Sequence, residues 1–282
     1  MSIEKGTLYV VATPIGNLQD MSPRAKEILR GVDLIVAEDT RTSRRLLREF
    51  GISTPLLAYH DYNERQTYQA IIARLEAGKD IALISDAGTP LISDPGYRLV
   101  RAAHEAGLRL ISVPGPCAAV AALAVSGSPS DRFIYEGFLP ARSAARRRRL
   151  GQLSQESRTM IFFESPYRLL ESLADIQDIF GPDRRATIGR ELTKIHETIH
   201  SGSLRHVLEW LQGDENQRRG EFVIIVEGQD RPADTLDLEA QRLLSVLLKH
   251  LPLSQAVAAA SEVLGGDRSK LYRLALELKG RL

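Results

Sequence analysis

The sequence predicts an α/β protein, with two α/β domains followed by a small helical domain. Three observations carry this. In the first half, apolar runs of strand length alternate with helix-like segments closed by glycine. In the second half the same element types continue in a less regular order. Beyond a polar, proline-bearing stretch at 229–235 the pattern is helical only. The 282 residues fit this division at roughly 100–200 residues per domain. A hydrophobic fraction of 43% and a charged fraction of 26% exclude a disordered or fibrous chain. Lys+Arg is 37 and Asp+Glu is 36, so the formal charge is +1 and bulk electrostatics names no partner.

The elements follow in order. Residues 7–13 (TLYVVAT) form a nearly continuous apolar run, as in a strand buried on both faces. Ser22-Pro23 offers a hydroxyl N-cap and a proline at the first helical position, starting a helix that stops at Gly31. Strands are expected at 33–37, 56–59, 80–85 and 108–113, and helices at 42–49, 63–77 and 97–106. This alternation with short connections implies a mainly parallel sheet. The breaker cluster Gly127, Ser128, Pro129 closes a first domain at 1–129. Strands at 133–138, 159–164, 186–190 and 221–227, with helices at 145–155, 167–179 and 204–211, imply a second α/β domain at 130–229 with antiparallel pairing. Helices at 238–249, 255–264 and 269–279 make a helical domain at 236–282. The last two meet at Gly265-Gly266, as a helix-turn-helix or as a plain helical cap.

Several classes are excluded. The single cysteine, Cys117, permits no disulfide framework within the chain and no Cys-rich zinc site, which fits a reducing, cytoplasmic setting. The opening residues lack the basic-then-apolar order of a signal peptide, and no apolar run reaches the ~18 residues of a membrane span. There is no G-x-G-x-x-G after the first strand, no P-loop and no H-E-x-x-H. His60 and Asp61 are adjacent but have no third ligand at metal spacing, so no metal is expected.

Three predicted strand ends carry loops of one kind: 13–17 (TPIGN), 85–90 (SDAGTP) and 113–116 (VPGP). Glycine lets backbone approach a ligand and proline stiffens the loop. At the carboxyl edge of one parallel sheet they imply a shared small-molecule site, to which Asp86 and Thr89 add polar groups. Glu38 and Asp39 suit the start of the following helix, whereas Arg41 there opposes the helix dipole and is a candidate substrate contact. Arg146, Arg147, Arg148 and Arg149, with Arg142 and Arg158 nearby, form the dense basic cluster. Guanidinium groups grip phosphates in pairs of hydrogen bonds, so the cluster suits nucleic acid; the competing reading is a solvated helix face. Four consecutive arginines point all round a helix and do not all reach one groove. Glu164-Ser165-Pro166, 190–194 and 219–222 become functional only in a two-domain cleft.

The stretches LYVVATPIGNLQDMSPRA, IVAEDTRTSRRLL, ALISDAGTPLISDPGY, VPGPCA, FFESPYRL, RELTKIHET and RGEFVIIVEG resemble the tetrapyrrole methylase superfamily. Within it they are similar to the bacterial 16S ribosomal RNA (cytidine 2'-O)-methyltransferase family, whose C-terminal helix-turn-helix the tail also resembles. The resemblance spans Leu8 to Gly228 and implies two α/β domains of the tetrapyrrole methylase type with the cofactor in the cleft between them. It implies S-adenosylmethionine held near Pro14, Asp86, Thr89, Pro114, Cys117, Ala118, Phe163 and Leu192. It further implies a homodimer, no metal, and 2'-O-methylation of a cytidine in the decoding region of 16S rRNA within the small subunit. Asn17, Asp39, Arg41 and Arg146 to Arg149 are the implied substrate contacts. The SDAGTP loop stands where porphyrin-modifying members have Gly-Asp-Pro, and Cys117 stands where a small residue is expected. Methyl transfer is an in-line displacement that depends on positioning, and a ribose hydroxyl gains from a base. Glu191 and Lys194 lead the candidates, with His196 and Asp39 beside them; a neutral Lys194 needs its pKa lowered by burial or nearby positive charge. A tetrapyrrole C-methyltransferase and a non-catalytic RNA-binding assembly factor are the alternatives.

Overall fold

A computed structural model describes residues 5–60, 63–229, 233–265 and 267–279. Asp61, part of the expected linker at 230–232, and Gly266 lie outside the described residues. The chain divides into two compact units, Met1–Gly228 and Gln229–Leu282. The first holds two five-stranded sheets.

The first sheet is built from β1 (Thr7–Val11), α1 (Pro23–Gly31), β2 (Leu34–Ala37), α2 (Thr40–Glu49), β3 (Leu56–Ala58), α3 (Glu64–Glu76), β4 (Ile81–Ile84), α4 (Tyr97–Glu105) and β5 (Arg109–Val113). Its order is β3-β2-β4-β1-β5 and every pairing is parallel. The apolar strands are continuous because helices cover both faces. Val11, Ile35 and Ile84 pack with Leu29 and Leu47 of α1 and α2. Their neighbours Leu8, Val36 and Leu83 pack with Ile71, Leu75 and Leu99 of α3 and α4. Ser22 caps α1 as the sequence predicts, its Oγ accepting from the Ala25 N–H at 3.0 Å. The connections after β1 and β4 leave to opposite faces, so a crevice opens beyond their carboxyl ends. A two-bond bridge between Thr13 and Gly88, at 2.8 and 3.1 Å, ties the two loops there.

Helix α5 (Ala118–Ser126) is absent from the sequence expectations. It lies before the breaker cluster yet packs Ala119, Ala122 and Leu123 against Ile161, Val223 and Ile225 of the second sheet. That sheet comprises β6 (Phe133–Phe138), β7 (Thr159–Glu164), β8 (Arg185–Arg190), β9 (Thr198–Ser203) and β10 (Phe222–Val226), interspersed with α6 (Ser143–Leu153), α7 (Leu169–Phe180) and α8 (Leu204–Gly213). The order is β6-β7-β10-β8-β9. Three pairings are antiparallel as expected, but β6 and β7 are parallel. Helix α6 explains the difference: a crossover helix returns the chain to the same end of the sheet. Met160, Phe162 and Ile224 face α6, α7 and α8, while Ile161, Val223 and Ile225 face α5. Strand alternation thus splits the second half's apolar residues between two cores.

The second unit has its own core. In α9 (Ala233–Leu247), α10 (Leu253–Leu264) and α11 (Arg268–Lys279), residues Leu244, Val257, Ala260, Leu271 and Ala275 pack together. Gly265 ends α10 at φ 64°, a left-handed conformation that glycine adopts without Cβ strain. Among the described residues no helix is long and apolar enough to cross a membrane.

Candidate active site

A cleft of about 380 Å³ lies within the first unit, where the loop after β4 faces the ends of β6, β7 and β10. Ile15, Ala118, Phe138, Phe163, Leu192 and Val223 make its apolar walls. Its ionisable lining is acidic throughout: Asp86, Asp94, Glu164 and Glu221. Two of these are engaged. Glu164 pairs with Arg168 at 2.8 Å and accepts from the Ser172 hydroxyl at 2.6 Å. Glu221 pairs with Lys194 at 2.8 Å. Asp86 accepts from the Asp39 N–H at 3.1 Å, yet burial and the nearby Asp39 carboxylate hold its pKa above the ordinary value. Asp94 is pushed up to about 7, by burial first and then by the charge of Glu38, against a hydrogen bond from Ser85.

The cleft loops are strained. Among the described residues the non-glycine positions with positive φ are Leu91 (74°), Ser93 (65°), Glu191 (49°) and Thr193 (66°). They alternate with the lining residues Ile92, Asp94 and Leu192. Such conformations cost about 1–3 kcal/mol each and persist only where their surroundings hold them. One holding contact is the 2.6 Å hydrogen bond between the Ser93 and Tyr135 hydroxyls, which joins the loop after β4 to β6. Close approach is another: a Cβ at Gly16 would collide with the side chain of Lys194. The loop after β1 therefore lies directly on the loop after β8.

Of the expected cofactor contacts, Asp86, Ala118, Phe163 and Leu192 converge on the cleft wall. The others frame it. Thr89 donates its hydroxyl to the Pro116 carbonyl at 2.9 Å, tying two strand-end loops together. Pro14 is buried beside the Thr13 bridge, and Pro114 is exposed. Cys117 is the N-cap residue of α5, and its carbonyl accepts from the Ala121 N–H at 2.9 Å. Asn17 caps a single 3₁₀ turn through the Gln19 N–H at 3.0 Å. Asp39 caps α2 through the Arg41 N–H at 2.8 Å and pairs with the Arg41 guanidinium at 3.1 Å. That pair, which holds the Asp39 carboxyl below its ordinary pKa, accounts for an arginine so near the helix start.

The arginine cluster needs correction. Arg146 is 1% exposed, with Nε on Asp175 at 2.7 Å and Nη1 on the Ala141 carbonyl at 3.3 Å. It clamps α6 to α7 and is not a phosphate contact, because a ligand cannot reach it without breaking a buried ion pair. Arg147 pairs with Asp175 and Asp178 at 2.8 and 2.9 Å, and Arg149 with Glu136 at 2.6 Å. Their charges are neutralised locally. Arg148 is exposed and makes no ion pair among the described residues.

Lys194 is also corrected as a base. Its ammonium donates to Glu191 and Glu221, both at 2.8 Å. Partial burial works against the charge, but the two carboxylates outweigh it and raise the pKa. Glu191 answers in kind: burial opposes its charge, and Lys194 with the Glu221 N–H outweighs this and keeps it ionised. Glu191 and His196 border a separate polar hollow with Arg190 and Arg219, not the cleft. The sequence reading missed Asp94 and Ser93. Their signal was a second Ile-Ser-Asp, 92–94, eight residues after the first at 84–86.

Comparison with known proteins agrees with this geometry. The family model described as Tetrapyrrole (Corrin/Porphyrin) Methylases matches residues 7–208, and the model described as RsmI C-terminal HTH domain matches 234–279. A Pseudomonas aeruginosa protein named ribosomal RNA small subunit methyltransferase I is 55% identical, over 98% of this chain and 99% of its own length. Proteins of the same name from Escherichia coli O157:H7 and a Synechocystis species are 52% and 47% identical, covering 98% and 97% of this chain and 96% and 99% of their own. A solved cobalt precorrin-4 methyltransferase of cobalamin biosynthesis shares the fold at a TM-score of 0.58 and 16% identity, over 78% of this chain and 94% of that one. The family match runs from β1 into α8, taking in the first sheet, β6 to β9 of the second and most of the loops that build the cleft, and the chain belongs to the tetrapyrrole (corrin/porphyrin) methylase family.

Proposed function

We propose that this chain is an S-adenosylmethionine-dependent methyltransferase that methylates the 2'-oxygen of a cytidine in the decoding region of 16S rRNA. The observation that carries the reading is the cleft: apolar walls, a position at the strand-order switch, and an ionisable lining made only of carboxyl groups. Such a lining fits a ligand that is a flat heterocycle at one end and a fixed cation near the other. When bound, S-adenosylmethionine supplies a methyl group on a positively charged sulfur. Phe163, Phe138 and Leu192 would bury its ring system and exclude water, and Asp86 would offer a carboxyl to its positive charge. The strained loops at 91–93 and 191–193 hold these walls in place, and a fixed wall would supply the positioning on which an in-line transfer depends. Glu191 and Lys194 position the loop after β8 by their mutual ion pair. The relatives' names support ribosomal RNA of the small subunit as the substrate.

The RNA is held by exposed cations. Arg148 on α6 is one, and Arg41 beside the cleft loop is another. Helix α11 presents Arg268, Lys270 and Arg273, all exposed, as the second helix of a helix-turn-helix does. The side chain of Tyr167, 94% exposed and next to the lining residue Pro166, offers a flat face to an unstacked base. The protein works as a cytoplasmic homodimer and needs no metal. The test is methyl transfer from labelled S-adenosylmethionine to small ribosomal subunits from cells lacking this protein, followed by nucleoside analysis. 2'-O-methylcytidine is expected. No transfer despite intact cofactor binding would support the RNA-binding assembly factor instead, and transfer to a tetrapyrrole would replace the substrate.

A further inference from the structure

Asp94 has no part in the mechanism above, yet it lies on the cleft wall with Asp86. The left-handed residues Leu91 and Ser93 precede it, and the Ser93–Tyr135 hydrogen bond anchors the segment. The four groups that face it come from three places. Glu38 follows β2, Ser85 and Asp86 follow β4, and Tyr135 lies on β6. None of them is a cation. The other carboxyls of the cleft have fixed partners: Arg168 and Ser172 hold Glu164, Lys194 holds Glu221, and the Asp39 N–H holds Asp86. Asp94 alone among the four accepts no salt bridge or backbone N–H bond within the described structure while carrying a pKa raised to about 7. A carboxyl of that strength takes up and releases a proton near neutrality, where a general base is most effective.

We propose that Asp94 is the proton acceptor for the ribose 2'-hydroxyl. The proposal rests on the methyl-transfer reading of the cleft. The oxygen–hydrogen bond breaks and the proton passes to an Asp94 carboxylate oxygen. The oxygen's electron pair forms the new bond to the methyl carbon. The carbon–sulfur bond breaks, its electron pair stays on sulfur, and the thioether leaves neutral. One positive and one negative charge cancel inside a half-buried cleft, which favours the step.

The test uses the full chain with Asp94→Asn, which keeps the shape and removes the basicity, and Asp94→Glu, which keeps the carboxyl. Carbon-13 NMR of the cofactor-free protein follows the Asp94 carboxyl against pH. Calorimetry gives S-adenosylmethionine affinity. Single-turnover rates at saturating cofactor on small subunits give chemistry from pH 6 to 9. A resonance titrating near neutrality, present in wild type and absent from the Asn variant, is expected. Asp94→Asn should bind the cofactor within about threefold of wild type. It should lose roughly 10²–10⁴-fold in single-turnover rate, together with the acid limb of the pH profile. Asp94→Glu should keep an acid limb, displaced along the pH axis from that of wild type, with a lower rate. An Asn variant with wild-type rate and limb overturns the proposal. So does a cofactor affinity lowered more than about tenfold with the saturated rate intact, since Asp94 would then be a counter-charge. If the Asn variant fails to fold, as circular dichroism would reveal, the limb in the Glu variant decides: a limb unmoved from wild type overturns the assignment. Wild type inactive on small subunits would sink the functional reading and this proposal together, whereas an active wild type with an indifferent Asn variant sinks this proposal alone.

Discussion

Ionised Asp94 sits partly out of water with Glu38 and Asp86 for neighbours, so the fold resists its charge. Its folded pKa of about 7 lies above the ordinary 3.8, so between those values the folded state binds more protons than the unfolded one. Stability attributable to this group therefore falls as pH rises from 4 to 7 and stays low above 7. Asp94→Asn should be more stable than wild type at pH 8, by about 1 kcal/mol once solvent screening of a half-exposed group is allowed for, and no more stable at pH 4. Urea denaturation at the two pH values checks this, and an Asn variant weaker than wild type at pH 8 contradicts it. Lys194 has the opposite sign. Its ammonium keeps Glu191 below the ordinary carboxylate range, so the pair stabilises above pH 4.5 and fades as acid protonates Glu191. Lys194→Met should lose about 1–3 kcal/mol at pH 7 and markedly less at pH 3.5, read from the same denaturation curves. At this scale the sequence shows residue types but not neighbours. Asp86 is legible from its Gly/Pro loop, whereas the weight of Asp94 comes from Glu38 and burial, which no local motif encodes.

At the scale of elements, the run Arg146 to Arg149 illustrates how position along a helix redistributes charge. Successive residues turn by about 100°, so one arginine enters the α6–α7 interface and its neighbours do not. Asp175→Ala should strand the buried Arg146 guanidinium and cost about 3–5 kcal/mol of unfolding free energy, measured by denaturant. Arg148→Ala should leave the denaturation midpoint unchanged and weaken RNA binding, measured by filter retention. Equal effects of the two on RNA binding at matched folding would return the whole cluster to a binding role. The elements that the sequence conceals fail for physical reasons. Helix α5 (AAVAALAVS) is apolar on every face, so it has no helical period to read; only the face of Ala119, Ala122 and Leu123 packs on the second sheet, while Val120 and Val125 stay exposed. Strand β9 (TIHSGS, Thr198–Ser203) is an edge strand paired with β8 alone, and its polar residues do not alternate with apolar ones. By contrast β1, β2 and β4 are legible because a strand covered on both faces has no polar residue to interrupt it.

Across the whole chain, the parallel sheet and the loops that meet at its switch point follow from local signals, because each strand, turn and helix cap lies within a few residues of the next. The second sheet's order follows from pairings between distant segments, as of β10 with β7 and β8, which no spacing encodes. The helical unit is readable as helices, and its function rests on how charge is arranged on them. Its core of Leu244, Val257, Leu271 and Ala275 is self-contained, so its outward side chains tolerate change without loss of packing. Arg268, Lys270 and Arg273 are exposed on α11, where Glu277 is the acidic residue. If all three reach phosphates, each releases bound counterions, and log affinity falls with log salt by about 0.7–0.9 for every contact. Replacing the three with alanine in the full-length chain should therefore lower the salt slope for small-subunit binding by about 2–3, with cofactor affinity unchanged. Titrating binding from low to physiological salt measures that slope directly. A slope that stays at the wild-type value would move the RNA contact off α11 and onto Arg41 and Arg148 of the first unit.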